Sequence, residues 1–186
     1  MNLLTDLKNR DVIYWKCLTQ LVEYINSVRQ LHPYVRFVAT SLSGDILHSG
    51  HLACLNESKS FGHYLIVLVD SDEYLIWKKG YVVLPFEHRV ELLKNLRSVD
   101  HLLAVPFNKE NPTKSVTKVL ESLPIQVWAK GGDRIIGFNI EEFELCQSRG
   151  IIIQDGVGGY DKKGSSSSFI EKVYECIHKK KLEMQH

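Results

Sequence analysis

The chain lacks the charge imbalance that accompanies a polyanionic partner: 23 Lys and Arg stand against 22 Asp and Glu, a formal charge of +1. Nucleic-acid binders present a basic stripe, so no nucleic-acid partner is expected. Cysteine is sparse as well. Cys17, Cys54, Cys146 and Cys176 form no C-x-x-C pair and no zinc spacing, which points to thiols serving as small apolar groups in a reduced compartment and to no metal held by cysteine. There is no apolar run long enough to span a bilayer and no signal-peptide pattern, so the expectation is a cytoplasmic protein without a membrane partner.

What is present is enough apolar residue, 44% of 186 positions, to build one substantial core. The stretch around which the rest is arranged runs from Tyr34 to Gly62. Val35, Phe37 and Ala39 begin a buried strand that ends in Ser-Leu-Ser-Gly, and Leu52, Ala53 and Leu55 start the apolar face of a helix. His48 and His51 fall at the helix N-terminus, three residues apart and therefore on one side of it. Free N–H groups and the positive end of the dipole favour an anion there, and two imidazoles add donors. Gly50 between them lets a ligand reach the backbone. The local chemistry suggests a polyphosphate site; a zinc site would need more ligands than two histidines supply.

The remaining pattern alternates strands and helices. Before His32-Pro33, Leu18, Leu21, Val22, Ile25 and Val28 recur at helical spacing, and Leu3, Leu4 and Leu7 begin a similar pattern. One or two amphipathic helices are expected there, packed on the core as an added layer or used for dimerisation. Tyr64–Val69 reads as a strand covered on both faces, and Asp70-Ser71-Asp72-Glu73 as a strand-end turn and N-cap, with metal binding the lesser alternative. Pro85 fits the entry to a helix bearing Val90, Leu93 and Leu96. Ser98–Phe107 and Pro124–Ala129 supply further strands around a helix from Asn111 to Glu121, followed by a helix from Phe138 to Cys146 and a fifth strand at Ile151–Ile153. Residues 157–164 are expected to form a mobile loop. A last helix opens on a serine run, with Phe169, Ile170, Val173 and Ile177 on its buried face, and Lys179–His186 is expected as a solvated tail. Such alternation indicates right-handed βαβ crossovers. The fold class expected is α/β, a Rossmann-like three-layer sandwich on a five-stranded, mostly parallel sheet, with an N-terminal helical extension over residues 1–33.

DILHSGHL, LIVLVDSDE, WKKG, PFEHRVELL, SVDHLLAV, KGGD and GSSSSFI, taken in order, resemble the motifs of the nucleotidylyltransferase superfamily. The nearest likeness is to adenylyltransferases that activate heptose 1-phosphate, with glycerol-3-phosphate cytidylyltransferases as near relatives. The resemblance implies a catalytic domain over residues 34–178 that transfers AMP from ATP, or CMP from CTP, to a sugar or polyol phosphate, with Mg²⁺ and release of pyrophosphate. KGGD resembles the adenylyl form more than the cytidylyl one. It further implies His51 on the α-phosphate, His48 on the β-phosphate, Lys79 facing the phosphates of both substrates and Arg89 important for activity, with Lys78 an equal candidate for the lysine and otherwise a substrate contact. Nucleotide contacts are implied for Ser43, Gly44, Asp45, Gly50, Gly131, Gly132, Asp133, Ser166, Ser167 and Ser168. Read on local grounds alone, Lys78 and Lys79 are solvated charges, Arg89 is the partner of a nearby carboxylate, KGGD is a turn and the serines are linker. A homodimer or higher homo-oligomer is expected. One departure stands out: Leu42-Ser43-Gly44-Asp45 occupies the place of Gly-x-Phe-Asp. It keeps open a second reading, a nucleotide-binding protein of this fold with impaired catalysis.

Overall fold

Apolar runs rich in Val, Ile and Leu are too continuous to leave one face wet, and they pair here as parallel strands covered on both sides. The computed structural model describes residues 12–132, 134–136, 139–159 and 166–183, with the backbone alone described at 166 and 181–183. In chain order it runs β1 (Ile13–Trp15), α1 (Leu18–Leu31), β2 (Phe37–Leu42), α2 (Ser49–Ser60), β3 (Tyr64–Asp70), α3 (Asp72–Lys79), α4 (Phe86–Lys94), β4 (His101–Val105), α5 (Ser115–Leu120), β5 (Val127–Gly131), α6 (Phe143–Ser148), β6 (Ile152–Val157) and α7 (Ser166–Glu183).

The sheet is parallel in every pairing, in the order β1-β4-β3-β2-β5-β6. Six strands are described where five were expected. The addition is β1, which pairs Ile13 with His101 and Trp15 with Leu103 at the sheet edge. The stretch read from sequence as purely helical thus contributes a strand as well as α1, while Leu3, Leu4 and Leu7 lie outside the described residues. Three residues are too few to show an alternation, which is why periodicity misses them. Trp15 anchors β1: its indole N–H donates to His101 Nδ1 at 3.3 Å, and Tyr24 of α1 packs on the same imidazole with ring centroids 5.1 Å apart.

Alternate strand residues feed two cores. Phe37, Ala39, Ile66, Leu68, Leu103 and Trp128 meet Leu21 and Ile25 of α1, Val119 and Leu120 of α5 and Cys146 of α6. Val38, Leu65, Val67, Val69, Leu102 and Ala129 meet Leu55 of α2 and Val90 and Leu93 of α4. The result is the expected three layers. The chain runs outward from β2 through β3 to β4, then crosses back to β5 and β6, so the order reverses between β2 and β5. Ligands of such sheets bind beyond the carboxyl ends of strands at that reversal.

Two helices differ from expectation. α6 starts at Phe143, because Asn139 accepts from the Ile135 N–H at 2.7 Å and holds the preceding segment in a turn; Phe138 is outside the described residues. α7 runs to Glu183, into the stretch expected as a tail, and Val173 and Ile177, expected on its buried face, are 58% and 51% exposed. Of the expected loop at 157–164, residues 160–164 are outside the described set.

Candidate active site

α2 begins at the reversal point, and its N-cap is a histidine. His48 Nδ1 accepts from the Gly50 N–H at 3.2 Å, which places the proton of the neutral ring on Nε2 and makes that edge a donor. His51 lies one turn on, its ring stacked on His48 with centroids 3.8 Å apart. Burial pushes His51 down to about 4, with the charges of His48 and Lys79 acting in the same direction and the Ile46 backbone opposing them. Burial also lowers His48. Both rings are therefore neutral near pH 7. His51 Nδ1 is buried without a hydrogen bond among the described residues. A buried polar atom of that kind marks a place where a partner is wanted.

The turn from β2 to α2 is built around Asp45, whose side chain is fully buried. Its Oδ1 accepts from the Val83 and Leu84 N–H groups, each at 2.9 Å, and its Oδ2 faces Lys79 Nζ at 4.0 Å. Asp45 thus fixes the segment after α3 and holds Lys79 beside the histidine pair. Gly44 adopts φ +66°, a left-handed conformation that glycine supplies without strain. Leu42 ends β2 and packs into the α2/α4 core. The glycine of this turn therefore stands two residues later than in the Gly-x-Phe-Asp pattern, and Leu42 joins the core.

Arg89 is not at the surface of the site. It is fully buried, its Nε donating to Leu84 O at 3.0 Å, Nη1 to Ser43 O at 2.5 Å and to Asp70 O at 2.7 Å, and Nη2 to Asp72 Oδ1 at 2.6 Å. One guanidinium joins the ends of β2 and β3, the start of α3 and the loop before α4.

The N-terminus of α7 meets that of α2. Phe169 packs on His48 with ring centroids 5.6 Å apart, and the hydroxyls of Tyr81 and Ser167 are 3.4 Å apart. Ser167 and Ser168 thus lie at the helix start that approaches the histidines; the side chain of Ser166 and all of Asp133 are outside the described residues. Gly131 ends β5 where α2 crosses closely: a Cβ there would stand 2.6 Å from Cys54 Sγ. Its lack of a side chain serves helix packing, while Gly132 follows it at the strand end.

Lys78 and its neighbours complete the edge. Burial lowers the Lys78 ammonium, Asp70 raises it, and Arg134, Lys79 and Lys130 lower it further. Lys130 pairs with Glu142 Oε1 at 3.4 Å and lies over the Trp128 ring at 5.1 Å. Sequence reading gave Tyr81 and Phe169 no place at the site, weighed Asp70 only as a lesser metal ligand and met Lys130 only as the first residue of KGGD. The signal for Asp70 and Lys130 was their position at the carboxyl ends of strands flanking the reversal. Among the described residues no group of three His, Cys, Asp or Glu is arranged to hold a metal ion, and no helix is long and apolar enough to cross a membrane.

Residues 44–172 match a family model described as Cytidylyltransferase-like. Among curated proteins, the bifunctional protein HldE of Photobacterium profundum is 38% identical over 117 residues, 62% of this chain and 23% of that protein. The HldE of Shewanella loihica is 30% identical over 143 residues, covering 74% of this chain and 28% of that protein. The chain therefore spans only a minor part of these relatives' length. Among solved structures, the lipopolysaccharide core biosynthesis protein from Thermoplasma volcanium aligns with a TM-score of 0.52 at 25% identity, over 68% of this chain and 99% of that one. The pantoate-beta-alanine ligase from Francisella tularensis aligns with a TM-score of 0.55 at 16% identity, over 77% and 66% of the two chains, a likeness of fold.

Proposed function

Because this chain belongs to the cytidylyltransferase-like family, we propose that it is a nucleotidylyltransferase that moves AMP from ATP onto the phosphate of a sugar, heptose-like, or of a polyol, releasing pyrophosphate. CTP is the second choice of donor; Lys130-Gly131-Gly132-Asp133 favours ATP by its resemblance to the adenylyl form. The observation that carries the reading is the stacked His48–His51 pair at the start of α2, faced by the start of α7. Two helix N-termini and two imidazole edges converge where a chain of phosphates would lie.

In the reaction an acceptor phosphate oxygen forms a bond to the α-phosphorus as the bond from that phosphorus to the bridging oxygen of pyrophosphate breaks. A phosphate monoester is already anionic near pH 7, so no base is needed, and the work is positioning and charge stabilisation. His51 donates to the α-phosphate as its charge spreads in the transition state, His48 Nε2 to the β-phosphate, and the N–H groups of α2 and α7 with Ser167 and Ser168 to the remaining oxygens. Lys79, held by Asp45, follows the charge between donor and acceptor. Mg²⁺ would neutralise the triphosphate and would travel on it, since the ion keeps waters and phosphate oxygens as ligands and the described residues offer it no ready cage.

Release of pyrophosphate measured with ATP and CTP against a panel of phosphorylated sugars and polyols tests the reading, and His51→Ala should lower the signal by about one to two decades or more. The second reading, a nucleotide-binding protein with impaired catalysis, draws on Leu42 at the place of the motif glycine. It predicts calorimetric binding of ATP or CTP with no turnover on any acceptor.

A further inference from the structure

Asp70 is only 8% exposed, sits at the last position of β3, and accepts at Oδ2 from the Ser43 hydroxyl at 2.7 Å. Its Oδ1 makes no hydrogen bond among the described residues, yet is not among the atoms sealed from solvent. The charges of Lys78, Lys130 and the buried Arg89 reach Asp70, and those of Arg134 and Lys130 reach Lys78. Each is fixed. Lys78 lies over the Tyr74 ring at 5.5 Å, Lys130 lies over Trp128 at 5.1 Å and pairs with Glu142, and Arg134 Nη1 donates to Asn139 O at 3.0 Å. A carboxylate oxygen with no hydrogen bond among the described residues, within reach of two lysines held against aromatic rings, calls for a ligand with a hydroxyl to give and a phosphate to place.

Strand parity fixes where this basin lies. Asp70 follows Ile66 and Leu68, which face the layer of α1, α5 and α6, and Lys130 reaches the same side by lying over Trp128 and pairing with Glu142 just before α6. The histidines ride on α2, which covers the opposite face through Leu55. Ser43, bonded to Asp70, belongs to the turn where the chain passes from one side to the other. An in-line displacement needs its nucleophile and its leaving group on opposite sides of the phosphorus. With pyrophosphate held over α2 and α7, the acceptor must enter from the Asp70 side.

We infer that the basin floored by Asp70 and walled by Lys78, Lys130 and Arg134 is the acceptor's subsite, and that the acceptor is a phosphorylated polyol or sugar whose hydroxyl donates to Asp70 Oδ1. This rests on the transferase reading above. A bare alkyl phosphate would bring its charge against Asp70 with nothing to offer that oxygen, so the subsite selects for hydroxylated phosphates.

The test needs no nucleotide and is made on the whole chain. Calorimetric titration compares sn-glycerol 3-phosphate, ribitol 5-phosphate and glucose 1-phosphate with n-propyl phosphate. At least one hydroxylated probe should bind about 10-fold or more tightly than propyl phosphate, the scale of one hydrogen bond to a charged group. Asp70→Leu should erase that preference, and isosteric Asp70→Asn should reduce it and carries the same reading if the leucine variant does not fold. Lys130→Gln should weaken hydroxylated and alkyl phosphates alike, while in Asp70→Asn, whose amide oxygen can still accept from Ser43, ATP or CTP affinity should change less than about threefold. Equal binding of all probes by the unmodified chain, no binding of any hydroxylated probe, or a preference left undiminished at Asp70→Asn would overturn the assignment. Separate titration with ATP and CTP keeps its failure distinct from failure of the nucleotide reading.

Discussion

Arg89 and Asp72 meet at 2.6 Å with the guanidinium fully buried and the carboxylate 35% exposed, so a cation is sealed inside the protein by one partly open anion and three carbonyl groups. Removing one side of a buried, hydrogen-bonded charge leaves the other uncompensated. Arg89→Ala should lower stability by about 3–5 kcal/mol. Arg89→Lys should recover little of this, because an ammonium cannot reproduce the fork that reaches Leu84, Ser43, Asp70 and Asp72. Chemical denaturation checks the order. Retained stability in Arg89→Ala would overturn the structural role given to this guanidinium.

His51 should matter to turnover more than to folding. Loss of one charge-assisted donor to the transferring phosphate is worth roughly 1.5–3 kcal/mol, so His51→Ala should reduce kcat by about one to two decades or more. His48→Ala should fall in the same range, with an added fraying of α2 because the Gly50 N–H loses its acceptor. Pyrophosphate release and melting temperature, measured together, separate the two effects.

The buried imidazoles set a pH dependence. His51 and His101 are both held down to about 4 in the folded chain, against 6.5 for the free ring. Between those values the unfolded chain binds more protons, so stability is full above about 6.5 and is lost as pH falls toward 4. Each group contributes a slope of up to about 1.4 kcal/mol per pH unit. Burial raises Asp70, which acts in the opposite sense, so the clean comparison is a difference between chains. His101→Gln should flatten the stability profile across this window relative to the parent. A nucleoside triphosphate should also favour protonation of His51, and calorimetry near pH 5.5 in buffers of different ionisation enthalpy should register proton uptake on binding.

Gly131 offers a steric test. A methyl group there would press on Cys54 Sγ at 2.6 Å and on Val157 O at 3.1 Å, and α2 would have to shift with its histidines. Gly131→Ala should destabilise by about 1–3 kcal/mol, the range for overpacking. Combining it with Cys54→Ala should recover part of the loss, since the sulfur is gone while the carbonyl stays. Thermal denaturation of the two single variants and the pair gives the coupling.

What the sequence made legible was local. The apolar run at Tyr64–Val69, the serine at the start of α3 and the histidines opening α2 each carry their own signal within a few residues, and the structure has them as a strand, an N-cap and a helix start. β1 was hidden because its support, the Trp15–His101 bond, joins positions 86 apart. Arg89 gave away its need for an anion by sitting near a helix start, but its burial depends on carbonyls of Ser43 and Asp70, which no spacing reveals. Val173 and Ile177 have the pattern of an inward face, and periodicity speaks only of what is apolar, not of what comes to cover it.

The shortness of β1 has a consequence for how the molecule behaves in a crowded solution. Without it, β4 would present an open row of amides and carbonyls to any extended peptide that drifted past. A three-residue rim satisfies that row and is itself too brief to recruit another chain. Shaving off Ile13–Trp15 should therefore appear first as fibrils or precipitate on standing, before any change in the chemistry at the other end of the strands.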